Sequence, residues 1–247
     1  MKKRRKTIIA GSLVKVVEYT PPMPRDTKQQ RAAKSKATTA AQKRLNYRTA
    51  QGNLETKLAA NFSRNDYFLT FTYEPGLEPR SRKEANEHKQ QYLRKLRGQR
   101  ARRGQPLKWV FAVENKHGAG RYHLHAVINA ADPHVDLDEL RSLWPYGHVD
   151  ASRLFDTEHK FNTWLDIARY MTKERPEDGK DTTPVGAQIY SCSRNLTPPR
   201  IITEWVEDGA ALDIPAAAYI IEREETQNEF SRYTYYKYMT APLFQRE

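Results

Sequence analysis

Two histidines one residue apart, His123-Leu124-His125, have the type and spacing for metal chemistry. In a strand, positions i and i+2 face the same way, so the imidazoles project side by side. Neutral imidazoles on a rigid strand can chelate one divalent ion. The competing reading is a pair of surface histidines. Glu114 ends a preceding apolar segment. If the two segments pair with Glu114 opposite His123, a carboxylate and both imidazoles share one face, while Trp109, Phe111 and Val113 bury the other. Such a donor set leaves positions open for water and a phosphate oxygen. That suits Mg²⁺ or Mn²⁺ acting as a Lewis acid. Structural zinc would want four protein ligands, and no fourth stands out. The alternative for Glu114 is an exposed acid paired with Lys116.

Tyr170-Met171-Thr172-Lys173 is a second candidate. Positions i and i+3 of a helix share a face, so Tyr170 and Lys173 can point together while Trp164, Ile167 and Met171 form a buried stripe. A phenol is a weak nucleophile at neutral pH. A neighbouring cation or metal makes it competent against a phosphodiester. The bland reading is a packed tyrosine beside a solvated lysine.

The elements that must position these groups are legible from the pattern. Tyr67 to Tyr73 is rich in aromatic and β-branched residues and stops at Pro75-Gly76, which predicts a strand. Lys83 to Arg103 predicts a basic helix with Tyr92, Leu93 and Leu96 inward. Trp109–Glu114 and Tyr122–Asn129 predict strands joined by a loop holding Gly118 and Gly120. Asp136–Trp144 predicts a short helix capped by Asp136. A strand over 147–154 and a helix over 161–174 stopped by Pro176 follow. Further strands are expected at 188–191 and 201–206. The order β-α-β-β-α-β-α is that of a ferredoxin-like, RRM-like antiparallel α+β sheet with helices on one face. Residues 1–62 are basic and poor in large apolar side chains. They are expected as a flexible arm followed by solvated helices. The catalytic domain is expected over 63–207 and a C-terminal extension over 208–247.

Composition narrows the function class. Forty-two Lys and Arg against 30 Asp and Glu give 247 residues a formal net charge of +12. Such an excess points to a polyanionic partner, of which nucleic acid is the commonest. The single cysteine, Cys192, excludes an intrachain disulfide and fits a reducing compartment. No apolar run is long enough for a membrane span, so a cytoplasmic protein is expected. No GxxxxGK[ST] phosphate loop is present, so ATP-driven unwinding is not expected of this chain.

With the motifs in place, the sequence resembles the rolling-circle replication initiators of the HUH endonuclease superfamily. Phe68-Leu69-Thr70-Phe71-Thr72-Tyr73 is similar to the first family motif. Glu114 with His123-Leu124-His125 is similar to the metal motif, and Tyr170 through Lys173 to the catalytic tyrosine motif. The resemblance covers residues 60 to 200. It implies a five-stranded sheet with the metal on its open face and cleavage of single-stranded DNA at an origin hairpin. The products it implies are a 5′-phosphotyrosine and a free 3′-hydroxyl, extended by a host helicase and DNA polymerase. Asp166 and Glu174 stand four residues either side of Tyr170, which implies a single-tyrosine enzyme. Expected DNA contacts are Thr70, Thr72, Lys116, Arg121, Arg4 and Arg5. The cluster Lys2 to Lys6 is expected to add salt-sensitive affinity.

Overall fold

The computed structural model describes residues 2–20, 40–116, 121–155, 161–172, 189–227 and 232–240. In chain order its elements are β1 (Lys2–Ala10), β2 (Leu13–Tyr19), α1 (Ala40–Asn61), β3 (Tyr67–Phe71), α2 (Arg82–Arg102), β4 (Trp109–Lys116) and β5 (Arg121–Ile128). Then come α3 (Asp136–Ser142), β6 (Val149–Arg153), α4 (Trp164–Met171), β7 (Tyr190–Cys192), β8 (Arg200–Glu207), β9 (Tyr219–Gln227) and β10 (Arg232–Met239). The chain forms two compact units. One is Asn61–Leu196; the other joins Met1–Ala60 to Thr197–Glu247.

The unit over Asn61–Leu196 holds a five-stranded sheet in the order β6-β3-β5-β4-β7. Every described neighbour pair is antiparallel. Counted from β3, that is the ferredoxin-like order with one strand added at the β4 edge. Strand alternation sorts its side chains. Tyr67, Leu69, Phe71, Trp109, Phe111, Val113, Leu124, Ala126 and Ile128 share one face and form the core with Tyr92, Leu93 and Leu96 of α2 and Leu140 of α3. These are the inward residues the alternation predicts.

Ser81 starts α2, its hydroxyl accepting from Glu84 N at 3.2 Å. Helix α2 is basic, yet two of its cations fold inward. Lys89 donates to Asn86 Oδ1 at 2.7 Å and Ser191 Oγ at 3.0 Å, and burial pulls its pKa down to about 8. Arg100 is fully buried, donating to Asp136 at 3.0 Å, Glu139 at 3.3 Å and Asn129 O at 3.1 Å. Asp136 corrects the sequence reading. Val135 is the N-cap of α3, without a side-chain cap. Asp136 sits one residue inside, where it also accepts from Ala131 N at 2.8 Å and Asp132 N at 3.1 Å. Its carboxylate is therefore an interior anchor.

Gly147 lies where the segment before β6 crosses the chain after β3. Thr72 N donates to His148 O and Glu74 N to Tyr146 O, both at 2.9 Å. A Cβ on Gly147 would stand 2.5 Å from Thr72 O and 2.7 Å from Glu74 N. Both are backbone atoms and cannot turn aside. Gly147→Ala is expected to cost at least about 1 kcal/mol, read as a lower urea midpoint at unchanged slope.

The second unit differs from the flexible arm read in the sequence. Residues 2–19 form a hairpin closed by Gly11-Ser12, within a five-stranded antiparallel sheet of order β8-β1-β2-β10-β9. The charges that suggested an arm are neutralised locally. Arg5 donates to Glu18 at 2.6 Å, and Lys3 pairs with Asp208 at 2.5 Å. Helix α1 contributes Glu55, which holds Lys15 at 2.7 Å and Lys237 at 3.4 Å. The β-branched run Thr7-Ile8-Ile9, the two-residue turn and the β-branched Val14, Val16 and Val17 beyond it are the hairpin signal that the charges hid.

Candidate active site

The opposite face of the β6-β3-β5-β4-β7 sheet carries the polar residues. The β4–β5 register sets Glu114 directly across from His123, as the hairpin reading required. The β3–β5 register sets Thr70 across from His125. His125 is only 2% exposed. Its Nε2 lies 2.7 Å from Glu114 Oε2, and its Nδ1 lies 3.3 Å from Thr70 Oγ1. With the carboxylate ionised, Nε2 carries the proton and the Thr70 hydroxyl donates to Nδ1. A hydroxyl both donates and accepts, so Thr70 can support either tautomer of the ring. Thr70 was expected to touch DNA; its described partner is His125, which makes it a positioning residue.

Helix α4 brings the tyrosine to this face. Thr163 and Asp166 form a reciprocal cap: Thr163 Oγ1 accepts from Asp166 N at 3.1 Å, and Asp166 Oδ2 accepts from Thr163 N at 2.9 Å. That box starts the helix at Trp164 and not at residue 161. It also gives Asp166, four residues before Tyr170, a structural task. Trp164, Ile167 and Met171 are buried as predicted. Tyr170 stands at the edge of that stripe. Its ring centroid is 5.0 Å from His125, 5.6 Å from Phe68 and 5.4 Å from Phe161, in edge-to-face contacts. Phe68 and Phe161 themselves meet edge to face at 4.9 Å. This aromatic frame was not read from the sequence. Phe68 was seen as a motif residue and Phe161 as a helix start, and only the fold brings them together.

Other expected site residues are placed as follows. Thr72 lies just past β3, its hydroxyl donating to His148 O at 3.1 Å. Lys116 ends β4 and Arg121 begins β5, opposite each other across the hairpin. Lys173 and Glu174 lie outside the described residues, as do Gly118, Gly120 and Pro176. Arg4 and Arg5 belong to β1 of the other unit. Arg5 is engaged internally, donating to Glu18 and to the carbonyls of Ala210 and Ala211, whereas Arg4 is exposed.

Among the described residues, no three His, Cys, Asp or Glu side chains are gathered to hold a metal ion. Glu114 and His125 are hydrogen-bonded to each other, and His123 projects from the same strand face as His125. One carboxylate and two imidazoles are nevertheless donors that a divalent ion accepts, and Thr70 on His125 Nδ1 is the outer support a ligating imidazole uses.

An antiparallel ferredoxin-like sheet with Glu, His and Tyr converging on one face is an arrangement suited to work on phosphodiesters. A family model for the replication-associated protein of the ORF2 type matches residues 66–175, a little under half of the chain. The matched stretch spans Glu114, His123, His125 and Tyr170. It supports a replication initiator, with DNA as the partner. No curated protein and no solved structure matches the chain. Among the described residues, no helix is long and apolar enough to cross a membrane.

Proposed function

We propose that this chain is an HUH-type, single-tyrosine endonuclease and strand transferase that starts rolling-circle replication. The observation carrying the reading is the shared sheet face, where Tyr170 packs edge to face on His125 at 5.0 Å and His125 bonds Glu114 at 2.7 Å. The Tyr170 oxygen attacks a backbone phosphorus of single-stranded DNA at an origin hairpin. The new O–P bond forms as the bond to the 3′ oxygen breaks. The phenol loses a proton and the departing oxygen gains one, leaving a 5′-phosphotyrosine and a free 3′-hydroxyl. Glu114, His123 and His125 would hold Mg²⁺ or Mn²⁺, which when bound supplies Lewis-acid polarisation of the phosphate. Phe68 and Phe161 restrict the Tyr170 ring, so its oxygen is held rather than searching. Lys173 supplies a point charge for the phosphate. A host helicase and polymerase then extend the 3′ end.

The direct test is incubation with end-labelled single-stranded origin DNA and Mn²⁺, followed by denaturing electrophoresis. A protein–DNA adduct supports the reading; intact DNA across a panel of replicon hairpins argues for a binding protein without chemistry. The metal carries its own expectation. Excess EDTA, His123→Ala and His125→Ala should each lower nicking by at least about 10²-fold. DNA affinity should change little, because phosphate contacts supply most of it. Nicking that persists in EDTA would remove the metal from the proposal.

A further inference from the structure

The sheet formed by the two ends of the chain has a row of side chains that none of the preceding chemistry uses. Trp205 on β8 stands opposite Arg4 on β1, Arg4 opposite Tyr19 on β2, and Tyr19 opposite Tyr233 on β10. Directly opposed residues share a face, so the four side chains run across the sheet in one line. Strands lie roughly 4.8 Å apart, so three steps make a row about 14 Å long. Trp205 is 60% exposed. Arg4 is also exposed, and its guanidinium lies 5.9 Å from the Trp205 ring centroid. Tyr19 and Tyr233 are half-buried.

The charges around the row are arranged with a direction. Lys2 and Lys6 share the face of Arg4, two residues to either side. Arg4 and Lys6 have no ion-pair partner among the described residues. Acids bound the row instead: Glu207 pairs with Lys2 at 3.9 Å on one side, and Glu222 and Glu224 line the same face of β9 on the other. A phosphate chain is therefore drawn along β1 and turned away from β9. Flat π-faces at strand spacing beside cations match the demands of unpaired bases and their phosphates. A duplex hides its base faces and cannot use them.

We infer that Trp205, Arg4, Tyr19 and Tyr233 form a stacking platform for single-stranded DNA, separate from the tyrosine site. The choice of DNA rests on the replication reading; the platform itself does not depend on Tyr170 chemistry. About two or three bases fit the row. Its use would be to hold unpaired origin DNA whatever its sequence.

The fold provides a clean readout. Trp109, Trp144 and Trp164 are 8%, 4% and 3% exposed, so Trp205 is the tryptophan that solvent and DNA can reach. Full-length protein without divalent ion should be titrated with an oligo(dT) of about 15 nucleotides, long enough to cover the row. Tryptophan emission should be quenched, and blunt duplex of equal length should not quench it. Trp205→Phe should abolish the quench while keeping most affinity by anisotropy of labelled oligo. Trp205→Ala should weaken binding about tenfold. Arg4→Ala should weaken it and flatten the slope of log affinity on log salt. Tyr170→Phe should leave the quench intact, which separates failure of the platform from failure of the nicking proposal. Unchanged emission at saturating oligo would overturn the inference. So would wild-type binding by Trp205→Ala and Arg4→Ala at unchanged melting temperature. Concentration-dependent self-association lost in Trp205→Ala, without any effect on DNA, would assign the face to a second copy of the chain and overturn it too.

Discussion

Tyr170→Phe should cut nicking by at least about 10³-fold and eliminate the covalent adduct, with affinity for single-stranded DNA and thermal stability unchanged. The change removes one oxygen and keeps the ring that packs edge to face on Phe68, His125 and Phe161. A loss of activity is then a loss of the nucleophile. The chain holds 14 tyrosines, so the location of the adduct matters as much as its presence. Competing phenols in the same unit are poorly placed. Tyr67 and Tyr92 are buried in the core on the other sheet face. Burial also pushes the Tyr73 and Tyr92 hydroxyls well above the ordinary tyrosine range, which opposes phenolate formation. In the other unit, Tyr235 is pushed up by burial and by the nearby Glu222 and Glu55 carboxylates. Proteolysis of a trapped adduct should yield DNA on the peptide containing Tyr170. DNA recovered on any other tyrosine would sink the assignment even with the enzyme class intact.

The second large effect is on stability. Arg100→Met should destabilise the Asn61–Leu196 unit by about 3–5 kcal/mol, the range for removing one partner of a buried ion cluster. Arg100, Asp136 and Glu139 have side chains 0%, 0% and 4% exposed. Without the guanidinium, Asp136 keeps only its Ala131 and Asp132 amides, and Asn129 O loses its donor. Glu139 retains Arg103 at 2.7 Å, which limits the damage on its side. The expected result is a large fall in the denaturant midpoint measured by near-ultraviolet circular dichroism. A change below about 1 kcal/mol would show that water or rearranged side chains satisfy these groups.

Much of the catalytic half was legible in the sequence because its signals are local. Period-two alternation in Tyr67–Phe71, Trp109–Glu114 and Tyr122–Ile128 predicts both strands and faces, and the turn-rich stretch between Asn115 and Arg121 predicts the pairing of Glu114 with His123 that is observed. Helix α2 was found within a residue at each end for the same reason. The other half was misread because its order is non-local. Lys2–Ala10 looks like a basic arm until Arg200–Glu207 pairs along it and Glu18 answers Arg5. No window of sequence contains both partners. Asp136 shows the same limit on a smaller scale: its capping propensity was visible, whereas Arg100 lies 36 residues earlier and redirects it inward. Thr70 was visible only as part of a motif, and its hydrogen bond to His125 needs the register of two strands.

The pairing of Tyr19 with Tyr233 also constrains how the protein is made. At synthesis rates of roughly 5–20 residues per second, strand β2 leaves the ribosome about 10–40 s before its neighbour β10. The segment 61–196 can collapse in that interval, since its strands pair among themselves. The amino-terminal hairpin cannot complete its sheet; it waits with both edges open, and open edges are where strands from different chains join. Expression should therefore tolerate slow translation better at low ribosome density, where waiting hairpins on neighbouring nascent chains are far apart.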